Sequence, residues 1–224
     1  LTVADRIKWP ALGAIACATL LGLLALLVFG DGGFRQQDLD LFARLASHQD
    51  GRGGSLGEAI AMLADPVPLI AMTVVACGIG LARGRPLDAF AALVVVAGAN
   101  LTTQLLKIAL AHPRAQVLLG GSGSHQIAFP SGHTTAAFSI GIAFAFVLPR
   151  SLAPLTLAVG AAFGIAVGGS VVVIAWHYPS DAVGGFLVAA GWGLGVLAAL
   201  RASEPRPQQQ AEAGLSSPGP LPSR

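Results

Sequence analysis

Charge is scarce in this chain. Asp, Glu, Lys and Arg make up 11% of its 224 residues while hydrophobic residues make up 54%, and the mean hydropathy is +0.72. Soluble domains carry about 25% charged residues, so an ordinary soluble fold is excluded and a membrane protein is indicated. The net charge is only +2 and there is no run of Lys or Arg, which argues against nucleic acid as a partner. Cysteine is nearly absent. Cys17 and Cys77 both sit inside apolar runs, where cysteine behaves as a small hydrophobe, so no disulfide framework is expected. Nor is there a short-spaced set of His, Cys and carboxylate residues, so no metal site is expected.

Apolar sequence, by contrast, is abundant. Stretches near the roughly 20 residues needed to cross a bilayer cover residues 9–30, 59–82, 87–109, 132–149, 154–175 and 179–200. The expected fold class is all-α: a polytopic membrane bundle of about six transmembrane helices within residues 1–202, with both termini on one side. Asp65-Pro66 interrupts the second stretch. Proline there removes a backbone donor and clashes with the preceding turn, so that span is expected to be shortened or kinked. The first stretch is too long for a signal-peptide core, and a start at Leu1 rather than Met fits either residues upstream or an unusual start.

Residues 31–58 form the longest polar connection. Phe34, Asp38, Leu41, Phe42 and Leu45 recur there at near-helical spacing, ahead of Gly51-Arg52-Gly53-Gly54, which reads as flexible. A short amphipathic helix at the interface in this first outer loop and a partly ordered loop both fit. From Ser203 onward Pro, Ser and Gln dominate, so residues 203–224 read as a disordered tail. Gly160, Gly164 and Gly168 in the fifth stretch, and Gly191 and Gly195 in the sixth, recur at spacings that let transmembrane helices pack closely.

Basic residues set orientation. One side holds Arg6, Lys8, Arg83, Arg85, Arg150, Arg201, Arg206 and Arg224; the other holds Arg35, Arg44, Arg52, Lys107 and Arg114. The richer side is expected to be cytoplasmic, with both termini there.

Polar groups inside a membrane are costly and normally face a bundle interior or a wet cavity. Asn100, Gln104 and Lys107 share one helix face at the end of the third stretch. Lys107 alone fits an interfacial lysine reaching for water. Arg114, seven residues on, adds a forked guanidinium, and the two cations together suit an anion with several oxygens. Ser131-Gly132-His133 opens the fourth stretch after Pro130. The first amides of a helix lack intrahelical acceptors and sit at the positive end of its dipole, so this turn can cradle an anion; ordinary capping by Ser131 is the alternative.

His177 and Asp181 sit four residues apart at the start of the sixth stretch, with Pro179 suited to a first helical turn. A carboxylate at that spacing can hold one ring nitrogen and leave the other as a nucleophile; a dipole-favoured Asp181 beside an interfacial His177 is the bland alternative. His48 reads as a solvated surface residue. His112 and His125 flank the candidate site and could contact a head group.

This constellation resembles the type 2 phosphatidic acid phosphatase superfamily, which also includes bacterial class A acid phosphatases and vanadium haloperoxidases. Its signature is Lys-x6-Arg-Pro, then Pro-Ser-Gly-His, then Ser-Arg-x5-His-x3-Asp. Here the first part runs from Lys107 to Arg114, with Ala115 in place of proline. The second is complete from Pro130 to His133. The third keeps Ser170, His177 and Asp181 but has Val171 where the family has arginine.

The resemblance implies His177 as nucleophile, Asp181 as its orienter, and His133 as general acid and base. It implies Lys107, Arg114, Ser131 and the Gly132 amide as holders of phosphate oxygens, with no metal and no other cofactor. The expected activity is hydrolysis of a phosphomonoester or diphosphate on a membrane lipid through a phosphohistidine, at a site facing away from the cytoplasm. Val171 supports a second expectation, a catalytically impaired relative that binds lipid phosphate. Losing one phosphate donor commonly costs on the order of 10²–10³ in turnover, and candidates to replace it are His112, His125, Arg35, Arg44 and Arg52. A small transporter with coupled histidine protonation accounts for intramembrane polar groups but not for the motif set. Oligomeric state is not assigned.

Overall fold

The computed structural model describes residues 3–30, 32–48, 50–110 and 129–203. Helices dominate them: α1 (Val3–Phe29), α2 (Gly33–Ala46), α3 (Arg52–Met62), α4 (Pro66–Ala82), α5 (Pro86–Leu110), α6 (Gly132–Val147), α7 (Ala153–Val173) and α8 (Pro179–Ser203). A 3-10 turn, Arg150–Leu152, leads into α7.

Four of these are long and apolar enough to cross a membrane: α1, α5, α8, and α7 with its leading turn. The pair α3–α4 makes a fifth candidate, bent by 44° at its break. The cause is local, because Pro66 occupies the first turn of α4, where its missing N–H is harmless, and a continuous helix through it would lose a bond. At 16 residues, α6 is apolar but short of the roughly 20 residues of a full span.

α6 is the hub, packed against α4, α5, α7 and α8, while α1 leans on α8 and α3 on α7. Small residues allow this. A Cβ on Gly141 of α6 would stand 2.4 Å from the Cα of Gly160 in α7, so the two backbones cross in direct contact, as small-residue interfaces permit in membranes. Gly164 meets Phe138 and Phe186, and Gly168 meets Thr134, whereas Gly195 faces open space.

One connection differs from the sequence reading. Arg52, Gly53 and Gly54 lie inside α3 rather than in a flexible link. The glycine content serves packing: a Cβ on Gly57 would stand 2.7 Å from Ile174 Cγ2 of the α7–α8 turn, so α3 can approach only without side chains there. The tail reading concerns residues beyond the helix, since α8 runs through Ser203 and residues 204–224 lie outside those described.

Residues 33–46 form the helix α2, which packs on α7 and the start of α8. Phe42 and Ala46 are buried in a cluster with Val172, Ala175 and Tyr178, while Leu41 and Leu45 are exposed.

Candidate active site

Three helix ends build the site: the C-terminal end of α5, the N-terminal end of α6 and the N-terminal end of α8. Ser131 is the N-cap of α6, its Oγ accepting from Thr134 N at 3.3 Å and from the Thr134 hydroxyl at 3.1 Å. Its own N–H donates to the Asp181 carbonyl at 2.9 Å, which ties α6 to α8. The Thr135 hydroxyl donates to the Ser131 carbonyl at 2.8 Å and therefore accepts from Thr103 of α5 at 3.0 Å. Ser131, Thr134, Thr135 and Thr103 are all fully buried. Glycine makes this closure possible, because a Cβ on Gly185 of α8 would stand 2.7 Å from the Ser131 carbonyl oxygen.

Lys107 and Gln104 reach this turn from α5. A Cβ placed on Gly132 would lie 3.4 Å from Lys107 Nζ and 3.8 Å from Gln104 Nε2. An ammonium thus stands beside the first amides of α6, where the helix dipole is also positive. Asn100, a turn earlier, donates to the Val96 carbonyl and reaches Ser139 of α6 at 3.4 Å, so the polar stripe read from the sequence does face α6. Arg114, with His112 and His125, lies outside the described residues.

His177 and Asp181 are both 0% exposed. His177 Nδ1 lies 3.2 Å from Asp181 Oδ2, and the same oxygen accepts from Tyr178 N at 2.9 Å. A carboxylate only accepts, so the pairing puts the ring proton on Nδ1 and leaves the lone pair on Nε2. Asp181 Oδ1 is buried with no hydrogen-bond partner among the described residues. The imidazole of His133 stands 6.4 Å from that of His177, centre to centre, at 67°. It also lies 5.5 Å from the ring of Trp176.

The turn that presents His177 is a Schellman motif. Trp176 N donates to the Val171 carbonyl and Ala175 N to the Val172 carbonyl, with Ala175 in the left-handed conformation at φ 59°, the position glycine usually fills. His177 N also donates to the Val171 carbonyl, at 3.0 Å. Val171 therefore holds the histidine turn through its backbone. Its side chain, 0% exposed, is clustered with Ala61 and Ile174, with Trp176 packed against them.

Two carboxylates escaped the sequence reading. Asp65, read only as part of a kink, occupies the N-cap position of α4 without a side-chain capping bond, and its Oδ1 lies 3.1 Å from His133 Nε2. Asp38 of α2 accepts from Ser180 N at 3.0 Å and from Ser180 Oγ at 2.6 Å, so α2 supplies a cap to the N-terminus of α8. Each acts on a residue far away in sequence, where no local pattern signals it. Tyr178 packs edge-on against Phe42 at 5.1 Å. Its hydroxyl is pushed up to about 12, first by burial and then by the Asp181 charge; nearby Arg35 pulls it down and Asp38 raises it further. Of the other outer-loop cations named from the sequence, Arg44 and Arg52 are exposed on α2 and at the start of α3, as is His48 at the end of α2.

A helical membrane bundle carrying two adjacent histidines, one of them fixed by a buried carboxylate, beside a lysine and a helix N-terminus, is a membrane phosphatase architecture. The chain belongs to the PAP2 superfamily, whose family model matches residues 88–205. It is similar in fold to a solved transmembrane PAP2-type phosphatidylglycerolphosphate phosphatase from Bacillus subtilis, with a TM-score of 0.72 at 19% sequence identity. The match covers 87% of this chain and 98% of that one. No curated protein sequence matches the chain. The matched family region contains Lys107, His133, His177 and Asp181 but neither Asp38 nor Asp65.

Proposed function

We propose that this chain is a lipid-phosphate phosphohydrolase working through a phosphohistidine. The observation that carries the reading is the facing pair of imidazoles, His177 buried and oriented by Asp181, His133 6.4 Å away. That spacing is too wide for a direct bond and suits a phosphoryl group between them.

In the first step His177 Nε2 attacks phosphorus, a P–N bond forms, the P–O bond to the lipid alcohol breaks, and His133 gives its proton to the departing oxygen. In the second, His133 takes a proton from water, whose oxygen attacks phosphorus and releases inorganic phosphate from His177. Lys107, Arg114, a Ser131 O–H and the Gly132 amide hold the three other oxygens, the electrostatic part of the catalysis. Asp65 steadies His133 while it carries its proton. No step calls on a metal.

The membrane setting favours a phospholipid or polyprenyl substrate, as a phosphomonoester or diphosphate. Under this reading the broken pair α3–α4 is the second span and α6 is a short fourth one, which makes six. Both termini are cytoplasmic, the site opens on the other side, and α2 rests at that outer interface. An impermeant thiol reagent on intact cells should modify a cysteine replacing Ser47 and spare one replacing Ser203; the reverse pattern inverts the orientation.

One feature favours a second reading, an impaired lipid-phosphate-binding relative. Val171 is closed into an apolar cluster and supplies no donor. Arg35, whose charge acts on the Tyr178 hydroxyl, is the outer-loop arginine we take as the candidate substitute. Phosphate release from a panel of lipid phosphates and diphosphates, with a chelator present, separates the two readings. Hydrolysis abolished by His177→Ala in a folded, inserted protein supports the enzyme. Release at the wild-type rate in that variant removes the phosphohistidine, and binding without release in the wild type establishes the impaired relative.

A further inference from the structure

At the end of the bundle opposite the histidines, a cavity of about 720 Å³ opens between α6, α7 and α8. Its walls are apolar, with Phe138, Ile142 and Phe146 from α6, Leu157 from α7, and Leu194 and Leu197 from α8. Phe138 and Phe146 are about 12 Å apart along the helix axis at 1.5 Å per residue, so the apolar part is elongated. Four arginines line the same cavity from four parts of the chain: Arg6 of α1, Arg85 just before α5, Arg150 before α7 and Arg201 in the last turn of α8. Asp88, paired with Arg85, is the single acid among the described lining residues. Arg201 also donates to the Arg6 carbonyl at 2.8 Å, which brings α1 into the ring.

We infer that this cavity holds an anionic phospholipid, one acyl chain lying along α6 and the phosphate received by the arginines. The lining argues for it: four guanidiniums and one carboxylate face the cavity, and Asp5, next to Arg6 in sequence, is not among the lining residues. Arginine forks match phosphate oxygens, and basic pockets between transmembrane helices are a recurrent seat for anionic head groups. A free anion would leave the apolar depth empty, and a zwitterionic lipid would bring a cation to the same rim. The site is separate from the catalytic one, since His133 and Phe146 are about 20 Å apart along α6. Its occupant has structural work to do. Only 6% of the apolar window of α1 is buried, and a lipid held by Arg6, Arg85, Arg150 and Arg201 would join that helix to three others.

Native mass spectrometry of the full chain in mild detergent tests this, with phosphatidylglycerol or phosphatidylcholine of identical chains added. The wild type should retain phosphatidylglycerol preferentially, and its thermal midpoint should rise with that lipid alone. Arg6→Gln with Arg150→Gln, both exposed positions, should bind it about 30-fold more weakly, the factor expected for two arginines at an anionic membrane surface. Leu157→Trp, which narrows the apolar wall and leaves the arginines intact, should also weaken it. His177→Ala should not. Equal retention of the two lipids, unchanged affinity in the double variant, or full displacement by inorganic phosphate would each overturn the inference.

Discussion

Asp65 Oδ1 and His133 Nε2 meet at 3.1 Å across 68 residues of sequence, joining the break in a bent helix pair to the histidine at the head of α6. Asp65 is nearly half exposed and His133 largely covered, so the pair is worth no more than about 1 kcal/mol. It acts by positioning. Asp65→Ala should lower kcat about two- to fivefold with KM unchanged, and Asp65→Asn, which keeps an acceptor, should recover part of the loss. His133→Ala should cost on the order of 10²–10⁴, the usual share of a general acid. Steady-state kinetics on the three variants check this, and an Asp65→Ala effect confined to KM would assign Asp65 to substrate binding instead.

The Asp38 cap on α8 should show as coupling. Hydrogen bonds to a charged group contribute about 1.5–3 kcal/mol, so Asp38→Ala should destabilise the folded bundle by that amount. A cycle with Ser180→Ala should give a coupling of about 0.5–3 kcal/mol, read from unfolding in detergent. Additive effects would mean that the carboxylate contributes nothing through the Ser180 hydroxyl, the backbone N–H bond being kept in the variant.

Val171 tests whether the family arginine can be restored. Its side chain fills a closed cluster with Ala61 and Ile174, so Val171→Arg should overpack that seam at about 1–3 kcal/mol, with a further cost for burying charge. The expected result is a lower unfolding midpoint and no gain in phosphate release. A gain would mean that the guanidinium threads past Trp176 to the phosphate and that only a donor was missing.

Tyr178 sets an alkaline limit. Its ordinary value of 10 is raised to about 12 in the folded protein by burial first, so the unfolded chain ionises first as pH rises. The stability this group contributes is complete below pH 10 and is lost as pH climbs toward 12. Tyr178→Phe should show a shallower decline over that window in unfolding experiments, and identical slopes would mean another group controls it.

The parts of the site legible in the sequence share one property, that geometry between the residues is set by a single helix. His177 and Asp181 are four apart at a helix start and do pair; Asn100, Gln104 and Lys107 fall on one face of α5 and do turn toward α6. The apolar stretches likewise gave helix positions to within a few residues for α5 through α8. Contacts between distant segments were not legible. Asp65 looked like a kink because Pro66 dominates its neighbourhood, and Asp38 read only as one position of the helical repeat in the outer loop. Gly53 and Gly54 read as slack because composition does not distinguish a flexible link from a helix that must pack closely on its neighbour.

The separation between Asp38 and Ser180, 142 residues, also places these events in time. At a synthesis rate of about 5–20 residues per second, the acid leaves the ribosome on the order of 10 s before the serine it will cap. Throughout that interval α2 has no α8 to hold, and the apolar face carrying Phe42 has neither Val172 nor Tyr178 to cover it. The histidine turn thus cannot take its final form until Asp181 has been made, and a chain halted before Pro179 would lack the carboxylate that holds His177.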